Sequence, residues 1–167
     1  MRYLYGSLYY LMRAVSKDKY LVGSWYGNDT IWRTVLDLYT ILMFADKKGN
    51  LSPEKQRRIF NIADMIISGE GNGPVAPEPK KLGFIIAGSD PIVMDRVVCE
   101  IMGFDYSKIP MLVNAGIDGS VSEKNPENIL LLSNSGLFNK KKINELHLPS
   151  KWKFKPYESW TGHIEKK

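Results

Sequence analysis

The 167-residue chain has a single cysteine, Cys99, and only two histidines, His147 and His163. One thiol excludes an intramolecular disulfide, a CxxC zinc site and a four-cysteine iron–sulfur cluster held by this chain alone. It also fits a reducing cytoplasm, which is the expected location. Both histidines fall in the late, basic part of the chain, so no Ser–His or Cys–His constellation points to a nucleophilic hydrolase. Long apolar runs are missing as well. Leu4–Met12 is interrupted by Gly6, Ser7 and three tyrosines, and no small-residue cleavage site follows. Neither a signal peptide nor a membrane span is expected from it.

What is present is the composition of a globular protein, 44% hydrophobic and 25% charged. The expectation is one α/β domain over residues 1–150, with a small central sheet of about three to four strands flanked by helices, then a basic, aromatic tail over 151–167. Much of the net charge of +5 lies late, at Lys140–Lys142, Lys151, Lys153, Lys155, Lys166 and Lys167. A solvated surface is the simpler reading of that bias, with nucleic acid disfavoured as a partner. In the tail, Lys151, Lys153 and Lys155 alternate with Trp152 and Phe154. That pattern suits bases stacking on the rings, and equally a lysine-guarded edge strand or extended arm.

Leu4, Leu8, Leu11 and Val15 predict a short amphipathic helix over 3–16, a packing helix on the simpler reading, whose exposed tyrosines could instead meet a missing segment or a second subunit. Tyr20–Val22 reads as a short strand. Asn28-Asp29-Thr30 signals a helix start. Ile31, Val35, Leu38 and Leu42 make one stripe and Trp32, Leu36, Tyr39 and Met43 a second, so a largely buried helix is expected to end near Ala45. Arg33 reads as the partner of Asp37 four residues on, or as the contact for an anionic ligand near the helix N-terminus. Asp46–Asn50 is a turn without a complete calcium-loop pattern. Ser52-Pro53-Glu54 predicts a helix over 53–58, followed by a strand over 60–67, although Ile59, Ile62, Ala63, Ile66 and Ile67 also fit helical spacing with Gly69 as a cap. Leu82–Ala87 predicts a central strand, and Ser89-Asp90-Pro91 a helix that runs to Met102 and stops at Gly103. A short helix at 109–115, a loop over 116–125 and a third strand at 129–132 complete the reading.

The chemistry is expected between Asn61 and Asp95. The linker Ser68–Lys80 is rich in Gly and Pro and lacks both the dinucleotide fingerprint and the P-loop lysine, so it is a weak phosphate signal. Acidic side chains in or beside apolar runs are costly unless they are paired, metal-bound or protonated. Asp64, Glu70 and Asp90 are therefore the catalytic candidates. Asp29, Arg33, Gly71, Asn72, Gly73 and Ser89 are the ligand-binding candidates, for an anionic small molecule. Glu70, Asp90 and Asp95 are the candidates for a divalent cation such as magnesium, which carboxylates suit. Parallel strands 60–67 and 82–87 would bring Glu70 and Asn72 towards Asp90, while a hairpin would separate them. Two functions follow: an enzyme or enzyme fragment with an acidic cleft at the strand ends, or a non-catalytic binding module in which the acids are structural.

Several motifs resemble one family. They are Asn28-Asp29-Thr30-Ile31-Trp32-Arg33-Thr34, the run Asp64…Ser68-Gly69-Glu70-Gly71-Asn72-Gly73-Pro74, Ala87-Gly88-Ser89-Asp90-Pro91…Asp95, and Met102-Gly103-Phe104-Asp105…Ile109-Pro110. Over about residues 23–115 the chain is similar to the C-terminal part of the domain of unknown function 362. The resemblance implies a fuller domain with a further N-terminal portion, and supports these site positions without supplying a reaction. Some relatives carry ferredoxin-like cysteine motifs; with Cys99 alone, that property does not transfer. Met65 stands where the family pattern often has Gly.

Overall fold

The computed structural model describes residues 11, 23–74, 76–115 and 128–166. Apart from Leu11, the expected helix at 3–16 lies outside the described residues, as do the strand at 20–22 and the loop at 116–125. The remainder is mixed α/β. Helix α1 (Ile31–Phe44) is followed by a long antiparallel hairpin of β1 (Asn61–Asn72) and β2 (Ala76–Gly88). Then come α2 (Pro91–Met102), α3 (Pro110–Asn114) and a small second pair, β3 (Leu130–Leu131) with β4 (Lys141–Lys142). No helix among the described residues is long and apolar enough to cross a membrane.

Four strands are described, but they form two separate pairs rather than one central sheet. The hairpin strands are longer than the apolar cores at 60–67 and 82–87 suggest, because pairing continues through the Gly/Pro linker to Asn72 opposite Ala76. An irregularity interrupts the ladder: Met65 faces Phe84 and Ile67 faces Lys81, which leaves Ile66 opposite both Leu82 and Gly83. Gly83 takes a φ of 83° there, the left-handed conformation of a bulge residue that a side chain would strain. Gly83→Ala is expected to destabilise by about 1–2 kcal/mol, read as a lower urea midpoint. A Cβ at this position would meet nothing within 4 Å, so the loss would be backbone strain alone.

Helix α1 starts as its sequence suggests. Asn28 Oδ1 accepts from the amides of Thr30 and Ile31 at 3.0 Å each. Of its two stripes, only the second packs: Met43 is buried, with Trp32, Leu36 and Tyr39 partly covered. Ile31, Val35, Leu38, Ile41 and Leu42 remain exposed, which corrects the expectation of a largely buried helix. The predicted helix at 53–58 is also absent. Glu54 donates its amide to Ser52 Oγ, Gln56 donates to Met43 O, and Arg57 reaches the carbonyls of Leu42 and Ala45 at 2.7 and 2.8 Å. These bonds draw the segment across the end of α1, where a cation satisfies carbonyls that the helix itself leaves open. The helix propensity of Ser52-Pro53-Glu54 loses to them.

The core forms around α2. Ile92, Val97 and Ile101 join Leu112 of α3, Ile143 and, from the last part of the chain, Phe154 and Ile164. Residues 151–166 are therefore part of the packed domain rather than an appended tail. Phe154 donates its amide to Met102 O, Asp105 to Ile164 O and Lys166 to Gly103 O. Ser159 Oγ and Trp160 Nε1 both donate to Ser24 O at 2.8 Å, and His163 stacks on Tyr26. Trp152, Phe154 and Pro156 turn inward while Lys151, Lys153 and Lys155 face out, the habit of an extended chain on an apolar surface.

Candidate functional site

The antiparallel register decides how the acidic residues stand to one another. Glu70 lies opposite Glu78 near the turn of the hairpin, while Asn61 pairs with Gly88 at its base, two residues before Asp90. Nine residues of strand separate these levels, roughly 30 Å at about 3.3 Å per residue. Glu70 and Asn72 thus stand far along the hairpin from Asp90, and the register does not bring Glu70 and Asp90 together around one cation. Among the described residues, no group of three or more His, Cys, Asp or Glu side chains is placed to hold a metal ion.

Asp90 and Asp64 have local roles that their sequence neighbourhoods explain. Asp90 is the N-cap of α2: its Oδ1 accepts from the amides of Ile92 and Val93 at 3.0 and 3.1 Å, with Lys55 Nζ at 3.7 Å from its other oxygen. Pro91 follows in the first turn, where no amide is needed. Ser89 is exposed beside it. Asp64 is exposed on the outer face of β1, and its Oδ1 accepts from the amide of Ile66, the residue opposite the bulge, at 2.8 Å. Asp95 is exposed on α2, and desolvation by its surroundings raises its pKa. One turn further on, burial pushes the Cys99 thiol up to about 12, with the charges of Asp95 and Glu100 adding to the effect. A thiol so placed is a packing group rather than a nucleophile.

The Gly-rich turn proves to be a clasp. Glu70 and Lys80, on facing strands, are 10% and 14% exposed and 2.8 Å apart. The same Glu70 oxygen accepts the Lys155 amide at 2.9 Å, and Lys80 Nζ also donates to Lys153 O while lying 5.2 Å from the Phe154 ring. Gly71 donates its amide to Lys155 O at 3.0 Å, and the Asn72 side chain meets both the amide and the carboxylate of Glu158. Lys155 Nζ pairs with Glu78 at 2.5 Å. Gly73 donates to Gly71 O and precedes a cis peptide bond to Pro74. Burial pushes the Glu70 carboxyl up, but the Lys80 ammonium and the Lys155 amide outweigh it and leave the pKa below its ordinary value.

Asp29 and Arg33 bond to each other rather than to the clasp residues. Arg33 Nη2 bonds both carboxylate oxygens of Asp29 at 3.1 and 3.0 Å, and its Nε reaches Asp29 O. Asp29, not Asp37, is therefore its partner. The guanidinium also lies 4.3 Å from the Trp32 ring, whose Nε1 bonds Asp29. The pair is solvent-exposed, so its contribution to stability is small. Sequence reasoning missed Lys80 and Lys155, whose side chains complete the clasp, Lys153, whose backbone carbonyl accepts from Lys80, and Arg96, a charged residue of α2 only 7% exposed. The Lys/aromatic alternation was the available signal for Lys153 and Lys155, read as an arm folded back with rings inward.

No solved structure matches the chain. A stretch of 71 residues is 31% identical to a thylakoid-associated protein of Synechocystis sp.. The match takes in 41% of this chain and 22% of that relative, so the chain spans well under a third of the relative's length. A model for a domain of unknown function, DUF362, matches residues 5–100, more than half of the sequence. The chain belongs to the DUF362 family.

Proposed function

We propose that this chain is a non-catalytic binding module of its family: its acids hold the fold, and its exposed apolar surface receives a protein partner. The observation that carries this reading is the antiparallel hairpin, in which Glu70 and Asp90 stand at opposite ends with each carboxylate bonded into the local structure. The competing function is an enzyme with a magnesium-binding or anion-binding cleft of Asp64, Glu70 and Asp90, helped by Arg33. It needs a convergence of charges that this register opposes. Large apolar side chains meanwhile face outward on α1 and on the hairpin, as surfaces that meet other proteins do. The basic C-terminal segment, an alternative binding element on sequence grounds, has its aromatic side turned to the core. Resemblance to a thylakoid-associated protein is in keeping with a module that works by attachment to something larger. A cytoplasmic setting belongs to the same proposal.

Thermal melting with and without millimolar magnesium tests it. Glu70→Ala and Asp90→Ala are each expected to lower the melting temperature, and magnesium to leave wild type and variants unmoved. A magnesium-dependent rise in wild type that either substitution abolishes would overturn the reading in favour of a catalytic metal site.

A further inference from the structure

The outer face of the β1–β2 hairpin combines an apolar centre with a pair of opposite charges. Phe60, Ile62, Ile66, Ile67 and Ile85 are 70, 68, 47, 62 and 58% exposed. That amounts to roughly 500 Å² of apolar surface, the upper end of what a monomer leaves uncovered and over half of the ~800 Å² each partner gives to a standard interface. The bulge enlarges the patch, because it turns Ile66 and Ile67 outward in succession. The face also carries one acid and one base. Asp64 lies opposite Ile85 on one side of the bulge, and Lys81 lies opposite Ile67 on the other. Both are exposed.

We infer that this face docks on the same face of a second copy, across a two-fold axis running at right angles to the strands. Such an axis exchanges the two sides of the bulge. Asp64 of each copy then stands over Lys81 of the other, and the isoleucines between them close against one another at the ~10 Å spacing of packed sheets. A two-fold interface must be self-complementary, each residue meeting its counterpart's partner. A patch with one positive and one negative group on opposite sides of an apolar centre meets that condition. A patch with like charges on both sides would repel its own copy. The assignment rests on the binding-module reading and names the partner.

Sedimentation equilibrium of the full chain over the micromolar range is the test. Wild type is expected to be a dimer. Lys81→Glu, which sets acid against Asp64, is expected to weaken association at least tenfold without lowering the melting temperature, and Ile62→Arg to weaken it further. Mixing Lys81→Glu with Asp64→Lys is expected to restore dimers, because the two variants carry opposite charges at the facing positions. Should Asp64→Lys fail to fold, the Lys81→Glu result alone decides the matter. A wild type that stays monomeric throughout, or dimers indifferent to both Lys81→Glu and Ile62→Arg, would overturn self-association. In that event an unchanged loss of stability in Glu70→Ala leaves the binding-module reading standing. A magnesium response that needs Glu70 or Asp90 removes that reading instead.

Discussion

Phe154→Ala is expected to lower the unfolding free energy by about 3–5 kcal/mol, the usual loss when a buried aromatic ring is truncated. Phe154 is 5% exposed and belongs to the same core cluster as Ile92, Val97 and Leu112. Its backbone amide also bonds Met102 O at the end of α2. Chemical denaturation followed by tryptophan fluorescence would give the value, and the midpoint should fall with little change in slope. For a domain whose whole margin is of the order of 5–15 kcal/mol, this is close to the largest effect one side chain can have. A loss below about 1 kcal/mol, the scale of an exposed site, would mean that residues 151–166 do not pack as described.

Glu70→Ala is expected to cost about 3 kcal/mol, since it leaves Lys80 nearly buried without its counter-charge. It also removes the acceptor for the Lys155 amide, so the C-terminal segment should loosen at 153–158 and exchange its amide protons faster. The pH dependence has a definite sign. Burial opposes ionisation of Glu70, but Lys80 and Lys155 together hold its pKa below the ordinary 4.5. Its contribution is therefore fully present above about pH 4.5 and is lost as the pH falls through the lowered value. The difference in melting temperature between wild type and Glu70→Gln should accordingly be largest near neutrality and shrink in acid. A difference that grew on acidification would contradict the clasp.

The parts of this fold that could be read in the sequence are those governed by near neighbours. Asp90-Pro91 and Gly103 mark both ends of α2, and Asn28 marks the start of α1, because capping depends on residues only a few positions apart. Fold class followed from the same local signals. The strand relation at 60–88 was left open, since an apolar run looks alike in a parallel or an antiparallel setting. Which α1 stripe would be covered was equally invisible, as both have helical spacing and only tertiary contacts choose between them. The clasp looks like a ligand site in the sequence for a related reason. An acid amid glycines looks the same whether it awaits a ligand or a backbone amide 85 positions further along the chain.

That long reach has a consequence for synthesis. The groups that finish the core, Phe154 and Ile164, are polymerised well after the hairpin and α2, and Ser24 waits for Trp160 across 136 positions. While they are still inside the ribosomal tunnel, the hairpin and α2 have no cover on that side. Contacts of such separation carry a large loop-closure entropy and form late. The nascent chain should therefore stay open to chaperones and proteases until residues 151–164 have left the tunnel, and complete its core only then.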